Sequence, residues 1–330
     1  MNELIPVAVI GVGHLGSLHA KMYAGIPSAR LVGVYDVDRA RAEEKANLFQ
    51  CKAFTSIDEA LTGVKAVSIA TPTTLHYEIA KEAISRGIHV MIEKPITTTA
   101  EQAKELIKLS GDRNVKIQVG HIERFNPALL ALERFTIQPM FVESHRLAQF
   151  NPRGTDVAVV LDLMIHDIDI ILHLVQSPVK TIHANGVAVV SDTVDIANAR
   201  IQFENGCVAN VTASRISQKK MRKMRLFQRD AYISVDFSDG VAEVFRLLDQ
   251  NDQSGAHTML LGAITQGKVQ RKIVYEQPEI KEVNALKYEL ELFLDAVKNN
   301  TQPKVTAVDG LRALEVAQQI IESINQNVVW

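Results

Sequence analysis

Cysteine is nearly absent from this chain. Among 330 residues only Cys51 and Cys207 occur, far apart and without the short spacings of metal ligands, so neither a disulfide framework nor a zinc site is implied. A reducing compartment, the cytoplasm, is the expected setting. No apolar run approaches the roughly eighteen residues of a membrane span. The opening Met-Asn-Glu-Leu-Ile-Pro enters the first expected strand almost at once, so no signal peptide is expected. The formal net charge is -2 and the 36 basic residues are scattered, which argues against nucleic acid as a partner. The one dense basic cluster, from Lys219 to Arg225, reads as a solvated strand edge, with phosphate binding as the alternative. There is no internal repeat or low-complexity tract. A hydrophobic content of 47% over this length can bury a sizeable core and suggests two domains.

What is present begins with a glycine turn. An apolar run from Val7 to Ile10 ends in Gly11, Gly13 and Gly16, followed by a helix-compatible stretch from Ser17 to Ala24. The first glycine permits the bend, the second lets backbone approach a pyrophosphate, and the third lets the helix pack on the sheet. The helix N-terminus then faces the phosphates. A second apolar run, Arg30 to Tyr35, ends in Asp36, the position at which a carboxylate accepts hydrogen bonds from the adenosine ribose. Asp36 would repel a 2′-phosphate and so favours NAD; Arg39 and Arg41 keep NADP open.

The first third alternates β-branched runs with helical patterns, as a doubly wound parallel sheet does. Strands are expected at Val7–Ile10, Leu31–Tyr35, Ala66–Ile69, His89–Ile92 and Val115–Val119, with helices over Asp38–Phe49, Leu75–Ser85 and Thr99–Leu109. Residues 1–122 thus read as a Rossmann domain and 123–330 as an α+β domain. In the second, helices are expected at Ala128–Arg134 and Val159–Val175, and strands at Phe141–Ala148, Thr181–Val190, Ile196–Phe203, Val208–Ile216, Met224–Gln228, Tyr232–Phe237 and Val241–Leu247. These predict one large, mostly antiparallel open sheet. Residues 249–268 have little periodicity, and helices Ala285–Lys298 and Ala307–Ile324 close the chain.

Four segments carry a resemblance. They are the glycine turn, Ala70-Thr-Pro-Thr-Thr-Leu-His76, Gly87-Ile-His-Val-Met-Ile-Glu-Lys-Pro95, and the stretch from Val305 to Ala317. Together they resemble the glucose-fructose oxidoreductase, inositol dehydrogenase and MocA (Gfo/Idh/MocA) family of NAD(P)-dependent dehydrogenases, over nearly the whole length. Val119 to Pro127 and Leu161 to Asp169 further resemble its nucleotide-sugar branch, above all the UDP-N-acetylglucosamine 3-dehydrogenases. That branch implies oxidation of a sugar C3 hydroxyl with NAD. Many members carry glycines just before the Asp-x-x-x-His element, where this chain has Val157-Ala-Val-Val-Leu161. The resemblance places Gly11, Gly13, His14, Leu15, Gly16, Asp36, Thr71, Pro72, His76, Glu93 and Lys94 at the cofactor.

Oxidising a secondary alcohol requires a base for the hydroxyl proton and donors near the developing alkoxide. Lys94 follows a parallel strand at its carboxyl end, where such sheets bind ligands, and Glu93 is read as positioning it or the cofactor. Asp162 and His166 lie four residues apart on one helical face, continued by Asp169 and His173. Polar groups in so apolar a helix need partners. A satisfied polar seam or a metal pair would also explain them, although no third ligand lies nearby. With the family pattern added, His166 becomes the general base, Asp162 its orienting partner or a sugar ligand, and Lys94 the stabiliser of the alkoxide. The alternative makes Lys94 the base, which needs its pKa lowered from about 10.4. Arg124 and Asn126, with Arg146 and Arg153 after them, are the candidates for the diphosphate and uridine. A dehydrogenase of a free sugar or inositol, and a non-catalytic dinucleotide and sugar sensor, are the rival readings. The broad second sheet is expected to support a homodimer or homotetramer.

Overall fold

Strand β1 (Ile5–Ile10) is buried along almost its whole length, and so is β4 (Ala66–Ile69). Strands covered on both faces read this way. In the computed structural model, which describes residues 4–151, 157–249, 258–266 and 269–327, these two lie side by side at the centre of a parallel sheet. The other strands are β2 (Ala29–Tyr35), β3 (Lys52–Ala53), β5 (His89–Glu93) and β6 (Ile117–Gly120), in the order β3-β2-β1-β4-β5-β6. Order reverses between β1 and β4, the switch point where such sheets take ligands. Crossovers run through α1 (His14–Gly25), α2 (Arg39–Phe49), α3 (Ile57–Ala60), α4 (His76–Ser85) and α5 (Ala100–Arg113). The Thr-rich turn before α5 supplies a capping box between Thr99 and Gln102.

The chain divides into two compact units, one running to Phe125 and including Val283–Glu315, the other comprising Asn126–Glu282 and the residues from Val316 onward. The sequence pattern had put a single break after residue 122 and both closing helices in the second domain. Instead α8, the penultimate helix (Ala285–Asn299), returns to the first unit, where Leu290, Phe293 and Leu294 share a core with Val7, Val9 and Tyr23. Helical periodicity shows that a face is apolar but not which partner covers it.

The second unit begins with α6 (Pro127–Leu130), capped by Asn126. The helix expected to reach Arg134 stops there and tightens into i→i+3 bonds, Leu132 to Leu129 and Glu133 to Leu130. Nine strands form its sheet: β7 (Phe141–Leu147), β8 (Val179–Val187), β9 (Ile196–Phe203), β10 (Val208–Ser214), β11 (Met221–Phe227), β12 (Ala231–Asp236), β13 (Val241–Asp249), β14 (Thr258–Gln266) and β15 (Val269–Glu276), ordered β14-β15-β13-β12-β11-β7-β10-β9-β8. Every pairing is antiparallel except β7 with β10. The expected loop over 249–268 is partly strand. Met259, Leu260 and Leu261 in β14 are all exposed, so this edge strand carries no alternation to read; residues 250–257 and 267–268 lie outside the described residues. Nor is the basic cluster an edge, for β11 sits between β12 and β7, with Lys223 paired to Asp236 and Arg225 to Glu143.

One face of this sheet is covered by α7 (Ile165–Val175). Across the other runs a transverse row set by register: Val208, Phe141, Phe227, Tyr232, Phe245, Tyr275 and Met259. Neighbouring rings in it lie 5.8, 5.0, 5.7 and 4.9 Å apart. The last helix is α9 (Ala307–Asn327).

Candidate active site

At the glycine turn, Gly11 adopts a φ of +84°, and a Cβ on it would sit 2.8 Å from the Ala70 oxygen. A Cβ on Gly16 would lie 1.7 Å from the Gly11 oxygen, so nothing larger lets α1 approach. Gly13 differs: a Cβ there would meet no protein atom within 4 Å, so the protein itself does not require glycine, whereas close approach of a ligand does. His14 and Leu15 are exposed in the first turn of α1, beside the partial positive charge of its N-terminus. Asp36 is buried and accepts the Val12 and Asp38 backbone N–H groups at 2.8 and 2.9 Å. Arg41 lies 3.3 Å from the same carboxylate, while Arg39 turns to Glu43. At the end of β4, Thr71 Oγ1 is buried without a hydrogen-bond partner in the protein, and Pro72 is exposed. An open backbone approach, an orphaned hydroxyl and a carboxylate after β2 all fit a dinucleotide.

Lys94 is half-buried and directly follows β5. Its flanks are fixed on both sides. The Lys94–Pro95 peptide bond is cis, and the Pro95 carbonyl lies 2.9 Å from His76 Nδ1. The other ring nitrogen of His76 reaches the Thr71 carbonyl at 2.9 Å. Burial pushes the His76 pKa down against these two carbonyls. His76 therefore packs between the two loops, its single N–H serving one of the carbonyls, and at 1% exposure presents no ring nitrogen outward. On the other flank, Glu93 is buried, with Oε1 2.9 Å from His19 Nε2 and Oε2 accepting the Lys94 backbone N–H at 3.2 Å. Burial pushes this carboxyl up, but the His19 hydrogen bond and nearby positive charge outweigh it and hold the pKa below the ordinary value. His19 and its neighbours Ser68 and Tyr23 were not foreseen; their only sequence signal is polarity inside buried elements.

In the second unit, Asp162 falls in a π-helical turn, Val160–Met164, and His166 in the first turn of α7. The π turn overlaps the stretch without the family's glycines only at Val160 and Leu161. Both side chains remain partly accessible, whereas Asp169 is buried and His173, at the far end, is exposed. The expected face of four polar groups thus divides. Asp167, unforeseen, takes Arg146 in a two-point pair, Nε to Oδ2 at 3.0 Å and Nη2 to Oδ1 at 2.8 Å. Arg146 is 3% exposed and ties α7 to β7, so its fork is already engaged within the protein. Asn126 is similarly occupied, accepting Ala128 N–H and donating to the Phe237 carbonyl. Arg124, in the first unit, is buried with Nη2 3.9 Å from Asp309 Oδ1. Arg153 lies outside the described residues. Among the described residues no cluster of His, Cys, Asp and Glu could hold a metal ion, and no helix is long and apolar enough to cross a membrane.

Comparison with known proteins bears on the whole of this arrangement. Residues 5–121 match the family model described as "Oxidoreductase family, NAD-binding Rossmann fold", and residues 139–242 match the Gfo/Idh/MocA C-terminal domain. The chain belongs to the Gfo/Idh/MocA oxidoreductase family. This Gfo/Idh/MocA member is 38% identical over 315 residues to UDP-N-acetylglucosamine 3-dehydrogenase of Acidithiobacillus ferrooxidans, covering 94% of this chain and 95% of that one. The solved structure of that enzyme superposes with a TM-score of 0.87 over 98% of each chain, at 36% identity. Scyllo-inositol 2-dehydrogenase (NAD(+)) of Bacillus subtilis is 28% identical over 335 residues, covering 96% of this chain and 93% of that one. The protein is an NAD-dependent oxidoreductase, with a parallel Rossmann sheet followed by a mostly antiparallel open sheet.

Proposed function

We propose that this enzyme oxidises the C3 hydroxyl of UDP-N-acetylglucosamine to the 3-keto sugar, with bound NAD accepting the hydride. One observation carries the reading: 38% identity to an enzyme of that activity along nearly the whole of both chains, against 28% to an inositol dehydrogenase. Gly11, Gly13, His14, Leu15, Gly16, Asp36, Thr71 and Pro72 are the residues assigned to hold the cofactor. Lys94 donates to the sugar oxygen as negative charge develops on it, lowering the barrier electrostatically. His166 takes the hydroxyl proton, and Asp162 orients the imidazole or a sugar hydroxyl. His76 and Glu93 serve by holding the segment around Lys94. For the diphosphate, Arg124 and Arg153 are the assigned donors; Arg146 and Asn126 contribute by fixing α7 and α6. The test is NADH formation, followed by absorbance, with UDP-N-acetylglucosamine set against myo-inositol and glucose. Activity on a free polyol alone would overturn the substrate.

The enzyme further works, in this proposal, as a homodimer or homotetramer built on the second unit's sheet. The aromatic row supports this, since Phe227 and Met259 are 36% and 61% exposed within a contiguous apolar stripe. Charged partners flank it, Arg225 with Glu143 and Lys223 with Asp236, the alternation a second copy of the same face can meet. Two cysteines without a disulfide fit a cytoplasmic setting.

A further inference from the structure

A chain of buried polar side chains runs through the core of the first unit. Tyr23 Oη lies 3.0 Å from Ser68 Oγ, Ser68 Oγ 3.2 Å from His19 Nδ1, and His19 Nε2 2.9 Å from Glu93 Oε1. Glu93 Oε2 ends it by accepting the Lys94 backbone N–H. Tyr23, Ser68 and His19 are at most 1% exposed and Glu93 is 9% exposed. Polar groups so deeply buried are costly unless every one is satisfied. Hydrogen-bond direction is constrained here, because an ionised carboxylate only accepts. His19 must therefore donate from Nε2, which leaves Nδ1 for the Ser68 hydroxyl and Ser68 Oγ for the Tyr23 hydroxyl. The sheet also makes room for the carboxylate, since a Cβ on Gly120 in β6 would sit 2.9 Å from Cδ and both oxygens of Glu93.

The dinucleotide turn needs none of this. Its own requirements are met by Gly11, Gly16 and Asp36. What the chain connects is different: α1, whose N-terminus opens the cofactor site, and the residue just before Lys94. We propose that His19 is a positioning residue for Lys94, acting through Glu93 to fix both its backbone and the negative charge beside it. The inference rests on the role given to Lys94 under the proposed function. The titratable and charged groups around Glu93 are His19 and Tyr23 from α1, His76 from α4, Lys94 itself, and the buried Glu289 of α8, which acts electrostatically on Tyr23. Without the His19 donor, burial would push the Glu93 carboxyl toward its neutral form. Lys94 would then lose the adjacent charge, and its backbone N–H would keep only a neutral acceptor.

Two substitutions separate the contacts. His19→Gln keeps an amide donor near the Nε2 position, while His19→Asn keeps a polar group only near the Nδ1 position, facing Ser68. With UDP-N-acetylglucosamine and NAD, His19→Asn is expected to lose about 10²-fold in kcat with little change in KM or NAD affinity, and His19→Gln to stay within about threefold of wild type. A readout independent of the sugar is labelling of Lys94 by an amine-reactive ester, followed by mass spectrometry against pH in the NAD-bound protein. Its midpoint should fall by about one unit in His19→Asn and hold in His19→Gln, as loss of a neighbouring negative charge requires. If wild type proves inactive on the nucleotide sugar, the labelling shift still supports the positioning role while the substrate fails. The proposal is overturned if His19→Asn retains the wild-type Lys94 midpoint, or if both variants lose activity and melting temperature in parallel. Should His19→Asn not fold, Glu93→Gln preserves the shape without the charge, and an unchanged midpoint there overturns it equally.

Discussion

His76 sits between two backbone carbonyls, Nδ1 2.9 Å from that of Pro95 and Nε2 2.9 Å from that of Thr71. One buried imidazole thus fills the space between the loop after β4 and the loop that follows Lys94. The neutral ring carries a single N–H for one of these carbonyls, and His76→Ala leaves that carbonyl without its donor in a dry interior. The expected loss is about 1–3 kcal/mol of stability, with a fall in kcat exceeding any change in NAD affinity. Chemical denaturation and steady-state kinetics measure the two effects; a variant with full stability and turnover would remove the brace from the account.

Burial lowers the pKa of both His76 and His89 below 6.5. Between the folded and unfolded values the unfolded chain binds more protons, so stability is full above about pH 6.5 and declines as pH falls below it. His89 Nδ1 accepts the Lys116 backbone N–H, and His89→Asn keeps an acceptor there without a titrating ring. Melting temperatures between pH 7 and pH 5 should therefore drop less in His89→Asn than in wild type. Equal slopes would show that His89 contributes nothing to the acid limb.

Asp36 sits where a 2′-phosphate would meet a carboxylate already accepting two backbone N–H groups. Binding of NAD is expected to exceed that of NADP by at least about tenfold, roughly 1.4 kcal/mol. Titration calorimetry with both cofactors is the check. Equal affinities would mean that Arg41, 3.3 Å away, shields the charge.

Lys94→Ala and His166→Asn should fail in different ways. The first is expected to abolish turnover while NAD still binds. The second should lower kcat by about 10²- to 10⁴-fold, leave the melting temperature near wild type, and remove the acidic limb of the pH-rate profile. A His166→Asn protein that is unstable but retains its specific activity would mark a structural histidine instead.

Placing Phe227→Glu in the middle of the aromatic row should split the oligomer, read as a smaller species by analytical ultracentrifugation. An unchanged mass, with the fold intact by circular dichroism, would move the interface elsewhere.

The features legible in the sequence were those written locally. A glycine turn between a strand and a helix, Asp36 after the next strand, and the alternation of β11, β12 and β13 each depend on residues a few positions apart. The hidden ones join distant positions. Glu93 meets His19 across 74 residues and Arg146 meets Asp167 across 21, and no periodicity announces which polar residue will find which. Arg146 and Asn126 looked like ligand donors because their chemistry suits phosphate and uridine. In the fold that same chemistry is consumed by Asp167, Ala128 and Phe237.

The π-helical turn at Val160–Met164 also has a bearing on how this segment tolerates change in length. A π turn holds one residue more than the α-helical turn it replaces, and one residue of α-helix corresponds to a rotation of about 100°. Deleting a single residue there, other than Asp162, would let the turn relax into ordinary helix with its flanks still in phase, and Asp162 and His166, then three or four residues apart, would still share a face. The π turn therefore has one residue of slack, whereas a deletion within α7 itself would turn everything on one side of it by about 100°.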